Sequence, residues 1–359
     1  MRKKRILKIL IIILVLAIVI VLGLLFYGKY QMSKIPELSF QEALEYTTKD
    51  NKEAVITIGI IRDGQMAYTV YGENGKVLPK ELHTYEIGSL TKTFTAAMIC
   101  KGVQEEKIHM GDTIDKYLSL PVGKNYPTIE ELLTHTSGYK AYYFESPMIS
   151  NFFKNKNDFC GVTRDMVAQK AASVKLSDKE YSFNYSNYGY AILGLVLEEV
   201  YQKDYTTFMN EYIQNELQLK KTKISDQNGD LSNYWDWEEN DAYLSAGALT
   251  SDIEDMLAYA QMQIDNSQYF EQCHNSIKEI NATTEAYKMM GIHMDEIGMA
   301  WIIDKENNII WHNGGTGNYN CYLGFNVENE TAVIVLSNLS PSYRIPATVL
   351  GVKLLQSMN

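Results

Sequence analysis

The longest apolar run in the chain, Ile9 to Tyr27, passes through 19 residues without a charge, enough to cross a hydrocarbon core of about 30 Å as a helix. It follows the basic cluster Met1-Arg2-Lys3-Lys4-Arg5, and no small-x-small cleavage pattern succeeds it. A membrane anchor over residues 6–27 is therefore expected in place of a removable leader. The positive-inside rule keeps the basic tail, residues 1–5, in the cytoplasm and sends the C-terminal bulk outward. The expectation is a single-pass protein of the cell membrane with an extracellular domain, joined to its anchor by a polar tether over residues 28–38.

The pattern changes at Ser39. Ser39-Phe40-Gln41-Glu42 reads as a capping box opening a helix that runs toward Asp50. Val55 to Arg62 and Met66 to Gly72 are strand-like and meet at Asp63-Gly64, a dipeptide suited to a tight hairpin turn. From about Ser89 to Gln263 helical spacing dominates, as in Thr128 to Leu133, Tyr188 to Tyr201 and Asp252 to Ile264. Strand patterns then return over Gly298 to Asp304, Asn308 to His312, Tyr322 to Val327 and Ala332 to Leu336, and a helix from about Pro346 to Met358 closes the chain. Strands at both ends of a helical middle predict an α+β domain over residues 39–359. One antiparallel sheet is completed by the two ends of the domain and flanked by terminal helices, with a helical region inserted between. The functional cleft is expected where sheet and helical region meet.

Charge and composition narrow the partners. The chain of 359 residues carries a formal charge of −11, and the five basic residues Arg2, Lys3, Lys4, Arg5 and Lys8 stand among the first 27, so the remainder holds −16. That acidity argues against nucleic acid. Four cysteines lie far apart with no CxxC pair, and six histidines form no zinc-like spacing, so neither a metal nor another cofactor is implied. The cysteines read as free and buried, with a disulfide an alternative outside the cell. No pair of carboxylates stands out, and the acidic residues read as solvated surface.

Three short stretches carry chemistry. In Glu86-Ile87-Gly88-Ser89-Leu90-Thr91-Lys92, followed by apolar residues at helical spacing, Ser89 starts a helix and Lys92 lies one turn on, beside it. Burial and the positive helix end both disfavour charge on such a lysine, which could then accept the serine proton. The rival reading is a capping serine and a solvated lysine. Ser137-Gly138-Tyr139-Lys140 matches the same spacing, but Gly138 breaks a helix there. The second stretch, Tyr185-Ser186-Asn187, precedes an apolar helix and offers a phenol and an amide, with Ser182-Phe183-Asn184 as a competing triplet. The third, Trp311-His312-Asn313-Gly314-Gly315-Thr316-Gly317, brings glycines to the end of a strand, where backbone NH groups could face a substrate. Its bland alternative is a glycine-rich turn with a surface histidine. As a nucleotide loop it fails, since no Gly-Lys-Ser/Thr follows.

Together the three stretches resemble the penicillin-recognising serine hydrolases, in the branch of class C β-lactamases, DD-peptidases, D-aminopeptidases and esterases, whose motifs are S-x-x-K, Y-x-N and K-T-G or H-x-G in that order. Leu132-Leu133-Thr134-His135-Thr136-Ser137-Gly138 and Ser245-Ala246-Gly247-Ala248-Leu249-Thr250-Ser251 look like the family too. The resemblance runs from about Glu42 to the C-terminus. It implies that Ser89 forms an acyl-enzyme and that Lys92 and Tyr185 share general base and acid duties. Asn187 would hold the substrate amide, and the NH groups of Ser89 and Gly315 would form the oxyanion hole, with His312 and Gly314 lining the substrate edge. His312 stands where β-lactamases carry lysine, which puts efficient β-lactam hydrolysis in doubt. The implied substrates are D-alanyl peptides or esters of cell-wall material, with β-lactams as alternatives. A domain that binds wall peptides or antibiotics without turnover is the reading from a different class.

Overall fold

The computed structural model describes residues 33–265 and 269–358, with six helical positions in the leading apolar run (13–15, 18, 21 and 23). Apart from those positions, the expected anchor lies outside the described residues, as do the basic tail and residues 28–32 of the tether. Among the described residues no helix is long and apolar enough to cross a membrane.

In chain order the first half comprises α1 (Phe40–Thr48), β1 (Ile56–Arg62), β2 (Gln65–Tyr71), β3 (Tyr85–Glu86), α2 (Thr91–Gln104), α3 (Ile129–Leu133), α4 (Ser146–Lys154), α5 (Arg164–Ser173), α6 (Asn187–Tyr201) and α7 (Tyr205–Glu211). The second half comprises β4 (Lys223–Ile224), α8 (Leu244–Gly247), β5 (Leu249–Ser251), α9 (Ile253–Ile264), α10 (Phe270–His274), β6 (Lys278–Glu279), α11 (Glu285–Met289), β7 (Glu296–Ile297), β8 (Ile302–Asp304), β9 (Ile309–Gly315), β10 (Asn320–Asn326), β11 (Thr331–Ser337) and α12 (Ala347–Gln356). Among the described residues eight strands form one sheet in the order β2-β1-β11-β10-β9-β8-β7-β6, and β3, β5 and β4 form a small second one. Every neighbouring pair in the large sheet is antiparallel.

Sequence accounts for these elements locally. The Ser39 hydroxyl accepts from the Glu42 amide while the Glu42 carboxylate takes the Ser39 NH, the reciprocal bonds of the expected capping box. β1 and β2 pair in register from Ile56↔Tyr71 to Arg62↔Gln65 around the turn at residues 63 and 64. The first and last strands of the domain meet as Ile56↔Ser337 through Ile61↔Ala332, so the sheet is completed by the two ends as expected. One face carries α1 and α12 over an apolar layer that includes Leu44, Ile58, Tyr322 and Leu350. The other face carries α9, and behind it α2, α6 and the rest of the helical region in a larger core.

Two strand boundaries differ from the sequence pattern. The strand expected from Gly298 begins at Ile302, because Ala300 takes a φ of 70° and the Gly298 NH donates to the Trp301 carbonyl, making a turn. The strand expected to stop at His312 continues through Gly315, paired to β10 as His312↔Leu323 through Gly315↔Asn320. β8 pairs only with Ile309, Ile310 and Trp311. Among the described residues the other side of β9 is therefore unpaired from His312 to Gly315, and an extended chain could lie along it.

Candidate active site

Ser89 sits in a short 3-10 turn, Gly88–Leu90, that runs directly into α2. The helix is buried nearly all round, from Thr91 to Cys100, which takes the side chain one turn beyond Ser89 out of water. Lys92 is fully buried, and its Nζ lies 3.0 Å from Ser89 Oγ while donating to the Ala246 carbonyl at 2.6 Å. The Tyr185 and Tyr190 rings stand 4.9 and 5.5 Å from the amine. Burial holds the Lys92 pKa well below the usual lysine value. The solvated lysine of the rival reading is excluded by this placement.

Tyr185 precedes α6 and shares a hydrogen bond with Ser89, yet burial still raises its pKa, so the phenol keeps its proton. Of the competing triplet, Phe183 lines the cleft while Asn184 turns away to the Tyr139 carbonyl at 2.8 Å. Asn187 is the first residue of α6 and half-buried. The hydrogen bonds of Lys92 run to Ser89 and to the Ala246 carbonyl in α8.

On the opposite side β9 presents His312, Gly314 and Gly315. His312 is buried, which corrects the surface-turn reading. Its Nδ1 lies 2.5 Å from the Asn313 carbonyl. Burial above all brings its pKa down to about 3, so the ring is neutral. A Cβ on Gly314 would fall 1.9 Å from the Ile87 carbonyl oxygen, and one on Gly88, whose φ is 49°, 2.6 Å from the Gly315 nitrogen. Only glycines let the end of β9 lie backbone to backbone against the Ile87–Ser89 turn. The resulting cleft, of about 310 Å³, is lined by Ser89, Tyr185, His312, Gly314 and Gly315 together with an apolar wall of Phe183, Tyr287, Met294, Ile302 and Trp311.

Two residues beside the site were not singled out as site residues from sequence. His135 is buried against Tyr185, ring centroids 4.4 Å apart, and its Nδ1 accepts from the Ser186 NH at 3.1 Å. Its hydrogen therefore sits on Nε2, which has no hydrogen-bond partner among the described residues. Its signal was the Leu132–Gly138 stretch. Glu86 overturns the reading of all carboxylates as solvated: it is buried in β3, three residues before Ser89, and burial raises its pKa to about 7. The Trp235 NH and the Thr316 hydroxyl each donate to it at 2.6 Å. The apolar neighbours Tyr85 and Ile87 were the available clue. All four cysteines are free, three of them buried.

Residues 40–354 match the sequence profile of the Beta-lactamase family. The chain belongs to that family. Protein flp from Staphylococcus aureus (strain MW2) is 24% identical over 317 residues, 80% of this chain and 60% of that protein. The chain thus spans three-fifths of the length of the curated relatives it matches first. Among solved structures, a Beta-lactamase/D-alanine carboxypeptidase from Yersinia pestis superposes with a TM-score of 0.72 at 20% identity, covering 92% of this chain and 99% of that one. An octameric penicillin-binding protein homologue from Pyrococcus abyssi gives 0.66 at 22% identity over 88% and 75%. These likenesses establish the fold, the α+β architecture shared by β-lactamases and penicillin-binding proteins, and this member of the family carries a serine and a tyrosine in one cleft with a buried lysine behind the serine.

Proposed function

We propose that this chain is a membrane-anchored extracellular serine hydrolase that acts through an acyl-enzyme on D-alanyl peptide or ester bonds of cell-wall material. The observation that carries the reading is the fully buried Lys92 amine 3.0 Å from Ser89 Oγ, where Ser89 lines a cleft bordered by the unpaired edge of β9. The apolar run and basic cluster at the N-terminus support the anchor and its orientation.

The chemistry follows from the protonation states. A neutral Lys92 takes the hydroxyl proton as Ser89 Oγ attacks the carbonyl carbon. The carbonyl π pair moves to oxygen, which the NH groups of Ser89 and Gly315 receive. When the tetrahedral centre collapses, the bond to the leaving nitrogen or oxygen breaks and the Tyr185 phenol supplies its proton, regaining one from the Lys92 ammonium. Water then attacks the ester by the same route, releasing the acid and restoring Ser89. Asn187 and the β9 edge would hold the substrate amide.

One observation favours esters and amides that lack a free carboxylate over β-lactams and peptides with a C-terminal carboxylate. His312 is neutral, and the cleft wall beyond it is apolar. Arg344, close in sequence to Pro341 at the rim, is committed to the Tyr46 and Lys49 carbonyls at the end of α1.

The test is intact-protein mass of the full chain in detergent through a time course with benzylpenicillin, a D-alanyl-D-alanine peptide and a D-alanyl ester, beside Ser89→Ala. The expected result is an adduct or product with the parent alone, and turnover of the ester. If parent and variant behave identically with all three, the hydrolase reading fails and a non-turnover binding domain takes its place.

A further inference from the structure

We infer that Glu86 is a positioning residue for the oxyanion site: its carboxylate straps the turn after β9 and the loop around Trp235 to the strand leading into Ser89, and so sets the spacing of the Ser89 and Gly315 NH groups. The inference rests on the proposed hydrolase reading for its kinetic consequence, and on the geometry alone for its structural one.

The strap has three attachment points. Glu86 lies in β3, whose register with β5 (Tyr85↔Ser251, Glu86↔Thr250) fixes its backbone, and Ser89 follows three residues later. One carboxylate oxygen accepts from the hydroxyl of Thr316, the residue directly after Gly315, at 2.6 Å. The other accepts from the Trp235 NH at 2.6 Å, and Trp235 Nε1 in turn lies against Gly317, where a Cβ would meet it at 2.8 Å. Thr316 also donates its NH to the Tyr319 carbonyl, closing the turn between β9 and β10. A single side chain thus holds the backbone donor on the sheet side against the nucleophile turn on the helical side.

A buried carboxylate without a cation opposes folding, and a polar group kept under those terms is commonly functional. Glu86 is 3% exposed, and its donors, the Trp235 NH and the Thr316 hydroxyl, are neutral. The ionisable groups facing it are the phenols of Tyr234 and Tyr319, stacked at 5.2 Å, with Asp230 and His83 paired beyond Thr84. Ionised, Glu86 accepts both bonds as charge-assisted ones. Protonated, it must place a donor on one oxygen, and one arm of the strap loosens. Burial puts that change at about pH 7.

The experiment uses the full chain in detergent with Glu86→Gln, which keeps the shape and cannot accept two bonds from one carboxylate, and Thr316→Val, which cuts one arm only. Deuterium exchange of the segment 312–320 is followed with acylation kinetics between pH 5.5 and 8.5. Both variants are expected to speed exchange in that segment and to lower kcat by about tenfold to a hundredfold with little change in KM, since a donor is displaced and not deleted. The parent rate should climb with pH through about 7, and Glu86→Gln should lose that limb. Unchanged exchange in both folded variants overturns the strap, whatever the enzyme does. Faster exchange with parental rates and an intact pH limb overturns its effect on the oxyanion site. An inactive parent with faster exchange in the variants would defeat the hydrolase reading and leave the strap standing as structure alone.

Discussion

The two walls of the Ser89 cleft are built on different physics. On the helical side the candidate groups are side chains, and burial gives them their character: it disfavours charge on the Lys92 amine and on the Tyr185 phenol. On the sheet side the candidate groups are backbone NH groups, and what qualifies them is closeness. Gly314 and Gly88 allow β9 to lie against the Ile87–Ser89 turn at distances no other residue permits. The helical wall can therefore lose its chemistry while keeping its fold, whereas on the sheet wall chemistry and fold fail together.

The sharpest way to break this contrast is Gly314→Ala. The added methyl group would fall 1.9 Å from the Ile87 carbonyl oxygen and 2.7 Å from Cys321 Sγ, so β9 has to move away from Ser89. Loss of an oxyanion donor predicts a fall in acylation rate of about a hundredfold to a thousandfold. Overpacking adds a loss of stability of about 1–3 kcal/mol. Stopped-flow acylation and thermal unfolding on the same sample check both. A variant that acylates slowly but melts with the parent would show that the sheet wall is separable after all.

A smaller effect is expected across the cleft. Tyr185→Phe removes the hydroxyl bonded to Ser89 and leaves the ring against Lys92 and His135. The turnover of an amide should fall about a hundredfold, and that of an aryl ester much less, because a phenolate leaves without a proton. Unfolding should change little. Equal losses on a matched amide and ester would remove the phenol from the role of proton donor.

The contrast also explains what the sequence made legible. Ser89 and Lys92 announce themselves because a helix puts residues three apart side by side, a local rule. The capping box at Ser39 and the hairpin at residues 63 and 64 are local too, and the structure has both. The extension of β9 to Gly315 was hidden because glycines carry no hydrophobic pattern, and the pairing to Asn320 supplies the strand. β3 to β5 are two or three residues long, too short for alternation to register. The depth of Glu86, the carbonyl of Ala246 on Lys92 and the orphan Nε2 of His135 are products of packing between segments far apart in sequence. No window along the chain contains them.

The smallest predicted effect bears on what the helical wall costs the fold. Lys92 is fully buried and its folded pKa lies well below the usual lysine value of 10.5. Between those two values the unfolded chain holds a proton that the folded chain does not, so stability falls as pH drops through that window and is regained toward 10.5. Lys92→Met replaces the amine with an apolar chain of similar length. It should abolish acylation and yet raise stability near neutral pH by about 1 kcal/mol, the net of a removed desolvation penalty and the lost bond to the Ala246 carbonyl. The gain should shrink as pH is raised toward 10, a trend that a general improvement in packing would not produce. Urea unfolding of parent and variant at pH 7 and at pH 9.5 measures it. A variant less stable than the parent at both pH values would mean that the Ala246 bond outweighs burial, and that Lys92 supports the helical wall as well as serving in it.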